Sequence, residues 1–113
     1  MAWEHPARRD RILDGASFTK FRDATITGRD AFLTELERTR AQGYGEDREE
    51  FDDHIRCLAV PIFDRLGQPL AGMSVSFPTF RYDASKVGDV VTALQKAAKD
   101  ISERLGCTNY PAA

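Results

Sequence analysis

The sequence has little cysteine, little histidine and no long apolar run, and each shortage removes a class of function. Cys57 and Cys107 are the only cysteines in 113 residues, one inside an apolar run and one in the tail. That usage does not make a disulfide framework, and a reducing, cytoplasmic setting is expected. No apolar stretch approaches the roughly 20 residues that span a bilayer, so no membrane partner is expected. The opening Met1-Ala2-Trp3-Glu4-His5-Pro6 lacks the apolar centre of a signal peptide. Basic residues do not gather in one block and the formal net charge is −2, which leaves no patch to neutralise a phosphate backbone. If DNA is a partner, another part of a longer protein must touch it. No Walker loop and no Gly-x-Gly-x-x-Gly signature occurs, and no cofactor is expected.

What is present is globular. Hydrophobic residues make up 42% and charged residues 30%, enough to bury a core in one small domain. Pro6 to Asp14 reads as a short helix anchored by Ile12 and Leu13, and Gly15 to Ile26 as a connector with Thr25-Ile26-Thr27 extended. A second helix follows, capped by Thr27, with Asp30 at its third position and Phe32, Leu33 and Leu36 on one face. Gly43 suits its left-handed end, and Glu37 and Arg40 are spaced to pair on its wet side. Tyr44 to Glu50 is a short extended piece running into an acidic cluster. Ile55 to Asp64 and Leu70 to Phe77 are β-rich, and Asp64-Arg65-Leu66-Gly67-Gln68-Pro69 between them makes a hairpin turn. Pro61 lacks an amide donor and implies a bulge or strand edge. From Val87 to Leu105, apolar residues recur at helical spacing; Asp83 or Ser85 caps the start and Gly106 marks the end. With its capping turn this helix is about 22 residues, a rod of roughly 33 Å. The fold class is α+β: an antiparallel sheet with a hairpin, packed against a long C-terminal helix. Three strands make a thin core, which implies missing strands or a partner chain.

Strand alternation sorts the hairpin by face. Ile55, Cys57 and Ala59 share one side of the first strand, and Gly72, Ser74 and Ser76 one side of the second. A tight closure at Leu66 and Gly67 makes paired numbers sum to about 133. Cys57 then opposes Ser76, and Ala59 opposes Ser74. Two hydroxyls and a thiol among small residues leave donors and space for a carboxylate or sugar acid. The same alternation also describes serines that merely face water on a one-sided sheet, and a lone cysteine is often a small buried hydrophobe. Catalysis lacks a base: His54 is three residues from Cys57, on the opposite face, and His5 is near the terminus. No catalytic residue is expected. The acidic run Asp47 to His54 matches no strong metal-ligand spacing and reads as a solvated loop, so no metal is expected.

Gly43-Tyr44-Gly45-Glu46-Asp47-Arg48-Glu49-Glu50, then Arg56-Cys57-Leu58-Ala59-Val60-Pro61-Ile62-Phe63-Asp64, then Gly67, then Ser74-Val75-Ser76-Phe77-Pro78-Thr79-Phe80-Arg81 together resemble the effector-binding domain of IclR-family transcriptional regulators. The resemblance covers roughly residues 20 to 106. The Ser-x-Ser-Phe-Pro-Thr-x-Arg form is similar to the branch that responds to keto-deoxy sugar acids such as 2-keto-3-deoxygluconate. It implies a GAF/profilin-like fold, a small carboxylate or keto-deoxy sugar acid effector, self-association as dimer or tetramer, and DNA contact only through an N-terminal winged helix-turn-helix that these 113 residues do not include. It assigns the ligand to Asp47, Ile55, Cys57, Ser74 and Ser76. The serines and backbone amides would hold the carboxylate, Cys57 would line the floor and Asp47 would accept from a ligand hydroxyl.

Two departures follow from the resemblance. A Gly/Ala-bearing helix and the first strands of the domain are absent, so residues 1–113 correspond to its later part. The alternative to ligand sensing is therefore a dimerisation or structural fragment without an intact pocket. His54 also stands where relatives generally have Gly, which bears on how the acidic loop enters the sheet and on the placement of Asp47.

Overall fold

Alternating apolar residues on either side of one Gly-Pro turn decide the architecture. In the computed structural model, which describes residues 1–111, they form β2 (Ile55–Phe63) and β3 (Pro69–Pro78), joined through Asp64 and Gly67. The Asp64 carboxylate accepts from the Leu66 and Gln68 amides, and Gly67 takes the left-handed φ of 72° that closes the turn. A third strand, β1 (Gly45–Arg48), pairs antiparallel with the other side of β2, giving the order β1-β2-β3. The hairpin register is Cys57↔Ser76 and Ala59↔Ser74, as the closure at Leu66-Gly67 requires.

One face of this sheet is closed by α3 (Val87–Arg104). Leu58, Val60 and Ile62 point at Val91, Leu94 and Ala98, and all six are buried. Alanine at 98, with no accessible surface, lets the helix axis approach the strands closely. A bulge falls between Ile62 and Phe63, one residue after Pro61. Its freed amide is taken by Ser102 of α3: Phe63 N donates to Ser102 Oγ at 3.0 Å, while that hydroxyl donates to the Ala98 carbonyl at 2.7 Å. Pro61 sits in the central strand rather than at an edge. β1 has already ended at Gly45↔Ala59, and the Pro61 carbonyl is taken by the Tyr110 hydroxyl at 2.6 Å, so no ladder partner is missed. Phe63, 1% exposed, packs edge-on against Trp3 and Tyr110 and closes this end of the core.

The other face carries α1 (Pro6–Asp14) and α2 (Arg29–Gln42), and here several expectations need correction. Thr27 does not cap α2: Gly28 occupies the cap with no side-chain bond, while Gly43 does end the helix at φ 88°. Thr25-Ile26-Thr27 forms no strand; Thr25 instead accepts from the Phe21 and Arg22 amides in a turn. Among the described residues Glu37 and Arg40 form no ion pair; it is Arg38 that pairs, with Glu35 at 2.6 Å and Glu46 at 3.4 Å. Leu13 is buried but Ile12 is 46% exposed. At the C-terminal end, Asp83 caps a short 3-10 turn, Ala84–Lys86, before α3 begins. The helix proper therefore has 18 residues, and Leu105 lies beyond it, exposed.

Candidate functional site

Cross-strand partners in an antiparallel sheet point to the same face, so the register alone assembles the site. Asp47, Cys57 and Ser76 stand in one row across β1, β2 and β3. Gly45, Ala59 and Ser74 form the next row. Ile55, opposite Pro78, flanks the first row on the same side of β2. All five residues assigned to the ligand thus share one face, the one turned away from α3. Cys57 Sγ and Ser76 Oγ are 3.1 Å apart, a thiol–hydroxyl hydrogen bond. Ser74 and Ser76 are exposed, and Asp47, Ile55 and Cys57 are half-buried.

Small residues on this face make room beside the row. A cavity of about 500 Å³ lies between Gly45, Ala59 and Gly72 of the sheet and Phe32, Leu36 and Thr39 of α2. A Cβ added at Gly45 would sit 3.6 Å from Thr39 Cγ2, ordinary contact, so the glycine sets the width of this gap without strain. A second cavity of about 620 Å³ begins at Asp47 and is walled by Phe18, Phe21, Phe32 and Phe51. Phe18 packs on Phe32 at 5.7 Å and Phe21 on Phe51 at 5.3 Å between ring centres. Asp47 lines this second cavity. Ile55, Cys57, Ser74 and Ser76 line neither, and their part of the face is open to solvent.

Glu50 is the residue that sequence reasoning passed over, as one acid in a charged run. It lines both cavities. Its carboxylate accepts from the Arg48 amide at 3.1 Å, its own amide donates to Asp47 Oδ1 at 2.9 Å, and its carbonyl accepts from the Thr25 hydroxyl. Burial pushes the Glu50 carboxyl above the usual carboxylate range, the Arg48 amide opposing and the Asp47 charge reinforcing the shift. The one local signal was a spacing: Asp47 and Glu50 are three apart where the strand ends, which a turn brings together.

The loop from Glu49 to His54 is held by left-handed backbone at both ends, Glu49 at φ 61° and His54 at φ 67°. The histidine therefore occupies a conformation suited to glycine. The geometry is nevertheless kept: the His54 amide donates to Glu49 Oε1 at 3.0 Å and its carbonyl accepts from Thr79 N at 2.8 Å. Asp47 is accordingly in register with Cys57. Around the outer edge of β1, Glu35 bridges Arg38 and Arg48, and Glu46 lies near Arg38 and Arg56. The Arg38 guanidinium, bonded to Glu35, holds that carboxyl below its usual range. Among the described residues, no three His, Cys, Asp or Glu side chains gather into a group able to hold a metal, and no helix is long and apolar enough to cross a membrane.

Comparison with known proteins agrees with this fold. The family model described as the bacterial transcriptional regulator IclR C-terminal domain matches residues 1–103. The HTH-type transcriptional regulator KdgR of Escherichia coli is 41% identical over 111 residues, 98% of this chain and 42% of the relative. A crystal structure of the C-terminal domain of E. coli KdgR superposes with a TM-score of 0.89 at 42% identity, over 94% of this chain and 65% of that domain. The Thermotoga maritima IclR structure gives 0.89 at 32% identity, over 93% of this chain and 42% of that one. The chain spans about two-fifths of the length of the curated KdgR and XynR relatives it matches in E. coli. With a family model matched over nearly its whole length, and a sheet and helix arrangement shared with solved members, this chain belongs to the IclR C-terminal domain family of bacterial transcriptional regulators.

Proposed function

We propose that the face opposite α3 is an effector-holding surface for a small carboxylate, of the keto-deoxy sugar acid class. The observation that carries this reading is the row Asp47–Cys57–Ser76, with an acceptor at one end and a hydroxyl donor at the other. Ser74 and Ser76 hold the carboxylate, Cys57 forms the floor, Ile55 flanks it and Asp47 accepts from a ligand hydroxyl. The sub-branch rests on the likeness to KdgR and on the Ser74–Arg81 motif. In a longer chain bearing a helix-turn-helix, such binding would act by favouring one DNA-binding state over another through differential affinity. This function uses no cofactor and no catalysis, and places the chain in a self-associating, cytoplasmic regulator.

Calorimetry and thermal shift with 2-keto-3-deoxygluconate, pyruvate and glyoxylate test it. Saturable binding by the wild-type chain, raising stability by about 2.7 kcal/mol at a hundredfold excess over Kd, and its loss in Ser74→Ala/Ser76→Ala are expected. Retained affinity in the double variant removes the serines from the site.

A second reading has an observation of its own. Ser74 and Ser76 lie open beside the cavities rather than inside one. Among the described residues β3 also has no strand on its outer edge, where Leu70 and Val75 are exposed. A dimerisation or structural fragment with an incomplete pocket fits those facts. A flat response to all three acids, with self-association in sedimentation, favours it.

A further inference from the structure

Two strand spacings of about 4.8 Å place Ser76 and Asp47 about 9.6 Å apart across the sheet. Hydrogen bonds at each end take up about 2.8 Å apiece, leaving roughly 4 Å for the ligand's own oxygen-to-oxygen span. With acceptor oxygens only, a three-carbon keto acid makes no hydrogen bond to Asp47, and it ends within that span. A six-carbon acid does not: its further three bonds advance about 3.5 Å beyond Asp47. The space they enter is the phenylalanine-walled cavity, whose polar groups include Asp47, Thr25 and Glu50. Glu50 is tied to Asp47 through its amide and to Thr25 through its carbonyl, so its backbone is held just past the row. One carboxylate oxygen, Oε2, accepts from the Arg48 amide, and the other can take a ligand hydroxyl. It is also the one ionisable side chain, among the described residues, that borders both cavities.

We propose that Glu50 is a specificity-determining residue of this face, binding the distal hydroxyls of six-carbon sugar acids whose carboxylate rests on Ser74 and Ser76. The proposal rests on the effector-holding reading above. It makes length discrimination a division of labour: the sheet row recognises the acid and keto end common to all such ligands, and the loop after β1 reads the tail. The apolar walls favour this arrangement, since Phe21 and Phe51 line the cavity beside Asp47 and Glu50 and offer apolar surface to the C–H groups of a polyol while the two carboxylates meet its hydroxyls.

Calorimetry on the whole chain with two probes decides it. Glu50→Ala is expected to weaken 2-keto-3-deoxygluconate about tenfold, the size of one lost charge-assisted hydrogen bond, with pyruvate unchanged. Glu50→Gln, which keeps an oxygen for the Arg48 amide and an acceptor for the ligand, is expected to fall between. Equal weakening of both acids in both variants, or no change in either, overturns the assignment. Failure of the wild-type chain to bind either acid sinks the effector-holding reading instead, and this proposal with it.

Discussion

The two faces of one three-stranded sheet have been put to opposite uses. Toward α3, Leu58, Val60 and Ile62 meet a helix whose buried positions are four residues or fewer apart, and the buried polar groups there, Ser102 and Tyr110, are each hydrogen-bonded. Away from α3, the same strands present glycine, alanine, serine and cysteine, and α2 stands off far enough to leave two cavities. Large side chains on one face fill space and small ones on the other leave it. Stability is thereby concentrated on the first face, and the second is free to vary its chemistry without threatening the fold.

Substitutions of graded size can break that contrast. The largest effect belongs to Phe63→Ala, which empties the position between Trp3 and Tyr110. A loss of about 3–5 kcal/mol is expected in urea denaturation, enough to unfold much of a domain this small. A loss under about 1 kcal/mol would show that this end of the core is not where stability resides. Tyr110→Phe is next. It leaves the buried Pro61 carbonyl without its donor, at a cost of about 1–2 kcal/mol. Burial pushes the Tyr110 phenol up to about 12, with the Cys107 thiol adding to the shift. A group that holds its proton more tightly when folded contributes stability that is complete below the unfolded pKa of about 10 and is lost as pH rises toward 12. Wild type is therefore expected to lose stability across that alkaline window, and Tyr110→Phe to lose less over the same range. Parallel alkaline profiles for the two proteins would refute the assignment.

The packed face was the legible one, for a physical reason. Period-2 and period-3.6 patterns are written by burial, so Leu58, Val60, Ile62 and the Val91–Leu94–Ala98 stripe could be read directly. The hairpin register followed from a single turn, and with it the juxtaposition of Cys57 with Ser76. What could not be read lies on the half-packed layer. α2 buries only Thr39, so its hydrophobic face sets no start, and Gly28 displaced Thr27 as its cap. Arg38 rather than Arg40 took the ion pairs because Glu46 on β1 lies within its reach, a tertiary fact that helical spacing does not contain. Glu50 was missed likewise: its part in the site depends on a loop that brings residues 18–32 against residues 47–51, with no periodicity to announce it. Ser102, fully buried at a bulge, carries no such signal either.

His54→Gly sharpens the comparison from the open face. The left-handed φ of 67° costs a side-chain-bearing residue about 1–2 kcal/mol, part of which glycine returns in unfolded-state entropy. A net gain of about 0.5–1 kcal/mol is expected in thermal melting, and a loss would mean that the imidazole contributes more than its backbone costs.

The smallest effect on stability should come from Ser74→Ala/Ser76→Ala, and that smallness is what the contrast between faces requires. Both hydroxyls are exposed, and the one side-chain bond they make among the described residues, Ser76 to Cys57, leaves its sulfur open to water when broken. A change within about 0.5 kcal/mol is expected by melting, as for surface substitutions generally. Two strand-facing serines replaced by alanine remove donors and almost no packed volume. A fall of 2 kcal/mol or more would mean that the hydroxyls hold the sheet together, and would make any accompanying loss of carboxylate binding a consequence of unfolding rather than a lost contact. Calorimetric affinity that vanishes while the melting curve stays in place separates recognition from architecture on opposite sides of the same three strands.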